Sequence, residues 1–201
     1  IVVGFTSSND YDVIGFHDST TSSGPKPDFW IIKLDSLGDL EWSKSIGGFN
    51  NDRAYSVQQT IDSGYIVGGL SESNNGDVFD HKGNSDCWIV KLNKVGSIEW
   101  SKSYGGSINE NVNSILQVDD RGYIFIATSN SSDIDITNNF GGNDFWIVKT
   151  DSLGNIQWQK SYGGSDQDYS TSIEETNDSG YIVSGYSGSN DNDVPNNYGN
   201  Y

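Results

Sequence analysis

Asp144-Phe145-Trp146-Ile147-Val148-Lys149 is a short apolar run between two charged residues, and the chain repeats its pattern at a fixed spacing. Related runs begin with Asp86-Cys87-Trp88 and with Asp28-Phe29-Trp30, so that successive copies are 58 residues apart. The same spacing relates three further sets of residues: Trp42, Trp100 and Trp158; the paired glycines that begin at Gly47, Gly105 and Gly163; and the Gly-Tyr-Ile triplets that begin at Gly64, Gly122 and Gly180. All six tryptophans therefore occupy two positions of the repeat, which indicates a repeat architecture.

One repeat unit contains four segments with the composition of β-strands, at residues 54–60, 65–71, 87–92 and 97–104. The turn at 61–64 carries Asp, Ser and Gly, and we expect Gly64 to adopt a positive φ there. A second tight turn at 93–96 predicts a hairpin between the third and fourth strands. No segment shows an apolar period of 3.6 residues over the length of a helix.

Four antiparallel strands per unit are typical of a β-propeller blade. The second and third strands are nearly continuous apolar runs, which indicates that both of their faces are covered. A two-sheet sandwich would alternate more cleanly, and a β-solenoid would use shorter coils. We therefore predict an all-β fold, a β-propeller of four-stranded antiparallel blades with a 58-residue repeat that forms a partial ring of about 3.5 blades.

The repeat divides the chain into units at about 1–48, 49–106, 107–164 and 165–201, with half-blades at both ends. A closed propeller needs at least about four blades. The sequence thus predicts a fragment of a longer chain, in which further blades of the same chain or another copy complete the ring.

The charge of the chain limits its partners. There are 28 acidic against 11 basic side chains, a formal net charge of −17, so we expect no binding to nucleic acid or to an anionic membrane surface. No apolar run approaches the ~20 residues that would span a bilayer, and the single cysteine, Cys87, excludes a disulfide within the chain. The acidic composition, rich in Asn, Ser and Gly, favours an extracellular location.

Part of the repeat resembles the kelch layout. Tyr65-Ile66-Val67-Gly68-Gly69 is followed by an acidic loop, by the Trp88 strand and by Trp100, although the period is longer than in kelch repeats and the paired glycines are absent from the other units. The chain more closely resembles the repeats of about 60 residues in large secreted propeller proteins of Bacteroidota, through its Asp-Phe-Trp-Ile-Val-Lys run, its Trp158 strand ending in Gly163-Gly164, and the hairpin of 178–183. This resemblance implies secretion, often by the type IX system, and it implies no enzymatic activity.

Alternate carboxylates in the loops after the second strands are candidate Ca²⁺ ligands, because this cation prefers several oxygen ligands on a flexible backbone. The alternative is a turn in which the same carboxylates accept backbone hydrogen bonds. The candidate metal ligands are Asp10, Asp12, Asp77, Asp133, Asp135, Asp191 and Asp193.

A second acidic set, Asp52, Glu110 and Asp168, immediately precedes the predicted first strands. If the first strand is innermost, these side chains form a carboxylate ring near a channel mouth that binds a cation, a basic group or a sugar. They could equally cap strand ends. Asp28, Asp86 and Asp144, just before the third strands, are expected to have structural roles in turns or between blades.

The remaining candidates are single residues. His17 and His81 lie in long loops without an identifiable partner, so we expect no catalytic role for them. Cys87 and the tryptophans of the third strands are expected in the core, whereas Trp42, Trp100 and Trp158 either pack against the blade or present a face to sugar rings. Ser36 and Ser152 resemble the serine of the Asp-Ser/Thr-apolar site of Bacteroidota O-glycosylation, although Asp-Ser-x-Gly is also a good turn sequence.

Two functions remain open. The sequence favours a non-enzymatic extracellular or cell-surface scaffold or adhesin that binds a glycan or a protein through its loops, with no cofactor beyond a candidate Ca²⁺. The alternative is a polysaccharide hydrolase or lyase that uses the channel-mouth carboxylates as acid and base, since glycosidases need two carboxylates roughly 5–10 Å apart.

Overall fold

The computed structural model describes residues 1–17, 24–197 and 199, and within them it contains thirteen β-strands and no helix. None of the described segments therefore provides a helix suited to cross a membrane. The strands are Val2–Thr6 (β1), Asp28–Leu34 (β2), Leu40–Ile46 (β3), Asp52–Gln59 (β4), Tyr65–Ser71 (β5), Asp86–Leu92 (β6), Ile98–Tyr104 (β7), Glu110–Gln117 (β8), Tyr123–Ser129 (β9), Asp144–Thr150 (β10), Ile156–Tyr162 (β11), Asp168–Glu175 (β12) and Tyr181–Ser187 (β13). The prediction of an all-β fold is confirmed.

These strands form four antiparallel sheets, each joined in chain order. Sheet 1 contains β1, β2 and β3, sheet 2 contains β4 to β7, sheet 3 contains β8 to β11, and sheet 4 contains β12 and β13. Sheets 2 and 3 are the complete four-stranded units that the repeat predicts. Sheet 1 has the second, third and fourth strands of a unit, and sheet 4 has the first and second.

The strand boundaries differ from the predicted ones mainly at the first strand. It begins at Asp52 rather than at residue 54, and β6 begins at Asp86 rather than at residue 87. The acidic residue that precedes the apolar pattern is thus the first member of the ladder, where Asp52 is paired with Ser71. The ladder of β4 shifts register between Ala54 and Ser56, and this irregularity recurs in β8 and β12.

The turn between the first and second strands corrects one expectation. The positive φ belongs to Ser63 (67°), and to Arg121 and Ser179 at the equivalent positions, rather than to the glycines that follow them. Gly64 is required for a different reason, because a Cβ at this position would overlap the carbonyl oxygen of Leu92. The hairpin predicted between the third and fourth strands is present, and in its three copies a positive φ falls on Gly38, Gly96 and Gly154.

The sheets pack face to face in chain order, and three apolar clusters lie between them. One cluster joins Phe29 and Ile31 of sheet 1 to Trp88 of sheet 2, with the Phe29 and Trp88 ring centroids 4.6 Å apart. A second joins Cys87 of sheet 2 to Trp146 of sheet 3, and the third joins sheets 3 and 4. Every residue of β6 and β9 is buried, so both faces of these strands are covered as predicted. The stacked units fit a β-propeller-like fold.

Candidate functional site

The first residues of β4, β8 and β12 are Asp52, Glu110 and Asp168, which we term the strand-end acids. Each is at most 1% exposed. Asp52 Oδ2 accepts hydrogen bonds from the Gly48 backbone N–H (2.7 Å) and from Ser73 Oγ (2.8 Å), while Oδ1 accepts one from the Ser71 hydroxyl. The carboxylate therefore joins the glycine pair that ends one unit to the second strand of the next.

The other two strand-end acids repeat this arrangement. Glu110 accepts a hydrogen bond from the Gly106 N–H (2.8 Å) and one from Ser129 Oγ (2.8 Å). Asp168 accepts a hydrogen bond from the Gly164 N–H (2.7 Å) and others from the hydroxyls of Ser187 and Ser189. All three carboxylates are buried and occupied by protein donors, which favours the strand-end capping role over an open ring that holds a ligand.

A second buried row contains Asp28, Asp86 and Asp144, which we term the third-strand acids because they begin the third strand of each unit. Each accepts a backbone hydrogen bond from the loop that precedes it: Asp28 from His17 (2.7 Å), Asp86 from Lys82 (2.5 Å) and Asp144 from Phe140 (2.5 Å). These contacts support the structural role that the sequence predicts for this row.

The two acidic rows meet at a glycine. A Cβ placed on Gly47 would lie 2.7 Å from both Asp28 Oδ1 and Asp52 Oδ2, so these two oxygens lie within twice that distance of each other. Gly105 and Gly163 are flanked in the same way by an acid from each row. Asp28 Oδ1 is buried without a hydrogen-bond donor among the described residues, and so is Asp144 Oδ1.

Burial in these pairs raises the pKa values of several carboxyl groups. It raises the pKa of Asp52 to about 6, and the nearby charge of Asp28 adds to the rise. It likewise raises the pKa of Asp144 to about 6, with Asp168 adding a smaller repulsion. Burial also raises the pKa values of Asp28 and Glu110, against the hydrogen bonds that stabilise their charged forms.

The candidate calcium ligands lie in loops where they bind backbone groups. Asp133 Oδ1 accepts a hydrogen bond from the Ser107 N–H, and Asp191 Oδ1 one from the Ser165 N–H, each at 2.8 Å. Asp77 and Asp135 accept hydrogen bonds from the N–H groups of Gly47 and Gly105, at 3.2 and 3.1 Å. The Asp193 backbone donates to the Gly163 carbonyl, and the Asp10 carbonyl accepts from Val13.

The carboxylates of Asp77, Asp133, Asp135 and Asp191 thus accept backbone hydrogen bonds, from N–H groups 26 or 30 residues away at the end of the preceding unit rather than within their own turn. Across the described ranges, no group of three or more His, Cys, Asp or Glu side chains is placed to hold a metal ion. Asp12 is among the candidates that the structure does not bring into such a group.

Each histidine lies beside a buried aspartate, which corrects the expectation that neither has a partner. His17 Nδ1 lies 3.0 Å from Asp28 Oδ2, and His81 Nδ1 lies 2.9 Å from Asp86 Oδ2. The bond to Asp86 raises the pKa of His81. The sequence did not reveal that the two histidines have equivalent positions, because His17 precedes its aspartate by 11 residues and His81 by 5.

A groove of about 630 Å³ lies between sheets 2 and 3, beside His81. Its lining includes Asp80, His81 and Lys82 from one loop, Lys102 and Tyr104 of β7, and Asn155 of the next hairpin. Lys82 Nζ forms an ion pair with Asp135, and Lys102 Nζ donates a hydrogen bond to Asn155 Oδ1 (2.8 Å). The groove thus has a mixed lining: Asp80 is acidic, Lys82 is paired with Asp135, and Lys102 and Asn155 supply an ammonium and an amide group, a combination that the sequence spacing did not reveal.

The tryptophans divide into two positions, as their repeat predicts. Trp88 and Trp146 are fully buried, as expected for the core. The same expectation was wrong for Trp30, which is partly exposed because no described sheet covers its face of sheet 1. Trp42, Trp100 and Trp158 lie edge-on or tilted against Tyr65, Tyr123 and Tyr181 of the following sheet, at centroid distances of 5.7, 5.7 and 6.1 Å. They therefore pack between sheets.

Cys87 is buried among apolar side chains of sheets 2 and 3, as expected. Ser36 and Ser152 lie in exposed hairpin turns. The preceding residue of each, Asp35 or Asp151, accepts two backbone hydrogen bonds across its turn. The turn role of this sequence is thus present at both serines, and their glycosylation stays a prediction.

Comparison with protein-family models finds no match for this chain, and comparison with curated proteins finds none.

Proposed function

We propose that the chain is a partial β-propeller of about 3.5 blades that acts as a non-enzymatic scaffold or adhesin outside the cell, of the kind that secreted Bacteroidota repeat proteins contain. It binds a glycan or a protein through the loops between its sheets. The stacking of two complete and two partial antiparallel units supports the propeller arrangement, since the first strands β4, β8 and β12 each lie against the preceding unit.

One observation favours the binding role over the enzymatic alternative: groups of the protein itself already donate hydrogen bonds to the repeated acids. The three strand-end acids are buried and hydrogen-bonded to glycine N–H groups and serine hydroxyls of the repeat. A catalytic acid or base must reach the substrate within hydrogen-bond distance. The side chains best suited to acid–base chemistry therefore hold neighbouring units together. A ligand would have to bind to the loops between the sheets, which are exposed.

The groove between sheets 2 and 3 is the best candidate for the binding surface. Lys102 and Asn155 come from different sheets, so a ligand held by both would also bridge the two units. The ammonium and amide groups suit hydroxyl and carboxylate groups of an acidic sugar. We accordingly expect a glycan that contains uronic acid, or an acidic loop of a protein.

A glycan array probed with the labelled chain tests this role. We expect binding to uronic-acid glycans, and at least about a tenfold loss of affinity for Lys102→Ala, because a charge-assisted hydrogen bond contributes ~1.5–3 kcal/mol. Lys94→Ala removes the same charge from an exposed turn away from the groove and serves as the matched control. Equal effects of the two variants would reject the groove as the binding surface.

A turnover assay with the same purified chain tests the alternative of a polysaccharide hydrolase or lyase. Turnover on a polysaccharide panel that is lost in Glu110→Gln or Asp168→Asn would establish that function and overturn the non-enzymatic role.

A further inference from the structure

A second groove lies between sheets 2 and 3, at the end of the sheets where the turns between their first and second strands lie. Its volume is about 420 Å³, and we term it the turn groove. The hairpin of sheet 3 contributes Ser152 and Leu153 to this groove, and Gly154 and Asn155 to the groove that contains Lys102. The two grooves are therefore neighbours with different linings.

Arg121 is the unpaired cation of the turn groove. It lies in the turn between β8 and β9 with a positive φ of 67°, where the equivalent turns carry Ser63 and Ser179 with φ values of 67° and 63°. Its guanidinium group forms no ion pair or hydrogen bond with any residue that the structure describes. The turn therefore does not need an arginine, and the five N–H donors of this side chain are free to bind a ligand.

Exposed apolar side chains line the groove beside Arg121. Ile61 is 76% exposed and Leu153 is 64% exposed. The residues equivalent to Ile61 in the other turns are polar, Asp119 and Asn177, so the fold does not require an apolar residue here either. Apolar surface in water is unfavourable, and a ligand with an apolar face would cover it.

Tyr123 adds a buried hydroxyl group to the lining of the turn groove. The residue is 2% exposed, and its ring lies edge-on against Trp100 with the centroids 5.7 Å apart. Within residues 1–17, 24–197 and 199, its hydroxyl has no hydrogen-bond partner. Because buried polar groups are almost always hydrogen-bonded, this hydroxyl indicates that a molecule in the groove completes it.

The charges of the turn groove cancel. Lys91 Nζ lies 2.9 Å from Asp62 Oδ2 and 2.9 Å from Glu99 Oε2, and the lysine side chain is only 3% exposed. The two carboxylates are 53% and 46% exposed and thus reach the solvent. Together with Arg121, the groove has two positive and two negative side chains on a chain with a net charge of −17. This balance favours a ligand without charge.

The potential at Tyr123 supports the same choice. Burial raises the pKa of Tyr123 to about 12, and the charges of Asp62 and Glu99 add to the rise. The hydroxyl is therefore a neutral donor, and an anionic ligand beside it would be repelled by the two carboxylates. A cationic ligand would be repelled by Arg121. Sugar hydroxyls accept hydrogen bonds from Arg121 and Tyr123 and donate them to Glu99, while the C–H face of the ring covers the apolar side chains.

We propose that the turn groove binds a neutral saccharide of one or two hexose units. The volume of the groove lies in the lower part of the range for small-ligand pockets. This site goes beyond the proposed binding of acidic glycans, because it uses a different groove and a ligand without charge. Arg121 and Ile61, the two departures from the repeat, supply the specificity.

NMR titration of the ¹⁵N-labelled chain with cellobiose and with lactose tests this site. We expect saturable shifts of the amides of Ile61, Arg121 and Leu153, with a dissociation constant of about 1 mM. Arg121→Ser copies the residue of the equivalent turns and should fold like the parent, yet bind at least about tenfold more weakly, because hydrogen bonds to charged groups are the strong ones. Lys94→Ser removes a cation from an exposed turn outside the groove and is the matched control.

Ile61→Asn, which copies Asn177, tests the apolar contact and should weaken binding about threefold or more. No saturable shifts with either sugar would overturn the site, as would equal losses in Arg121→Ser and Lys94→Ser. Digalacturonate that binds the turn groove more tightly than cellobiose would contradict the neutral ligand class. Lys102→Ala should leave the titration unchanged, so a failure of acidic-glycan binding and a failure of this site are observed separately.

Discussion

Gly47 lies between two buried carboxylates, and this contact explains why the repeat keeps a glycine there. The oxygens of Asp28 and Asp52 approach the place where a Cβ would lie, and neither side chain can move freely. Asp28 Oδ2 accepts two hydrogen bonds from His17, and Asp52 accepts three from glycine and serine groups. Any larger residue at this position must displace one of these networks.

We expect Gly47→Ala to lower the free energy of unfolding by about 2 kcal/mol or more, because overpacking beside buried polar groups is costly. Urea titration followed by tryptophan fluorescence measures the change. Gly4→Ala is the matched control, since no atom lies within 4 Å of a Cβ built on Gly4. Equal losses in the two variants would show that the contact with the carboxylates is unimportant.

At the scale of the elements, the loops after the second strands hold the ends of the fourth strands in place. Asn75 in sheet 2 accepts a hydrogen bond from the Phe49 N–H at 2.8 Å, and its equivalents Asp133 and Asp191 accept the same bond at the same distance. An amide oxygen thus replaces a carboxylate at one of three equivalent positions. The contact needs an acceptor, and it does not need a charge.

This equivalence leads to a prediction about calcium. We expect the melting temperature to be the same in millimolar Ca²⁺ and in chelator, and Asp133→Asn to melt like the parent, while Asp133→Ala melts lower in both conditions because it lacks the acceptor. Differential scanning calorimetry provides the measurement. A rise of several degrees on adding Ca²⁺ would establish a metal site, because a cation bound only by the folded chain must stabilise it.

The strands were the most predictable elements, because their signals are local. The run from Asp86 to Lys91, the hairpin glycine Gly96 and the strict repeat specify strands, turns and pairing order without knowledge of tertiary contacts. The positive φ at Ser63 was not predictable, since glycine is the usual residue there and the close approach of the Leu92 carbonyl arises only once the third strand is in place.

The hydrogen bonds and pKa values of the acidic residues depend on how deeply each side chain is buried, and the sequence alone does not predict this burial. Asp52 and Asp77 have similar polar neighbours in the sequence, yet Asp52 is fully buried and Asp77 lies in a loop. The partners of the histidines were hidden for a related reason. His17 reaches Asp28 across an insertion that has no equivalent in the next unit, so spacing could not match it to His81.

At the scale of the whole molecule, the buried acids belong to a chain with a net charge of −17, so their ionisation is opposed both by burial and by the other carboxylates. Each of the two complete sheets contains one buried strand-end acid and one buried third-strand acid, and each partial sheet contains one of the two. Ionising such groups in the folded state costs more than in the unfolded chain, where they are hydrated. Mutual repulsion among the surface carboxylates adds to this cost at neutral pH.

The pH dependence of stability follows from these shifts. An unfolded Asp titrates near pH 3.9, whereas Asp52 and Asp144 in the folded chain titrate at about 6. Between these values the folded state binds more protons, so the free energy of unfolding should fall as the pH rises from about 4 to 7, by on the order of 2–4 kcal/mol. Below about pH 4 the trend reverses, because the pKa of Asp62 is lowered to about 2 by its bonds to Thr60 and Lys91, and protonating it removes their contribution.

Urea unfolding at fixed ionic strength across this range measures the dependence, and Asp144→Asn isolates one carboxyl group. The amide oxygen still accepts the hydrogen bond of Phe140, and the new NH₂ group faces the carboxylate of Asp168 across Gly163. We therefore expect Asp144→Asn to be more stable than the parent at pH 7 by about 1–2 kcal/mol and to have a flatter profile above pH 4. Asp119→Asn, which changes an exposed carboxylate, should leave the slope nearly unchanged. If the free energy of unfolding of the parent chain instead rises steadily from pH 4 to 7, the paired acids ionise without cost, and their pKa values are not raised in the folded chain.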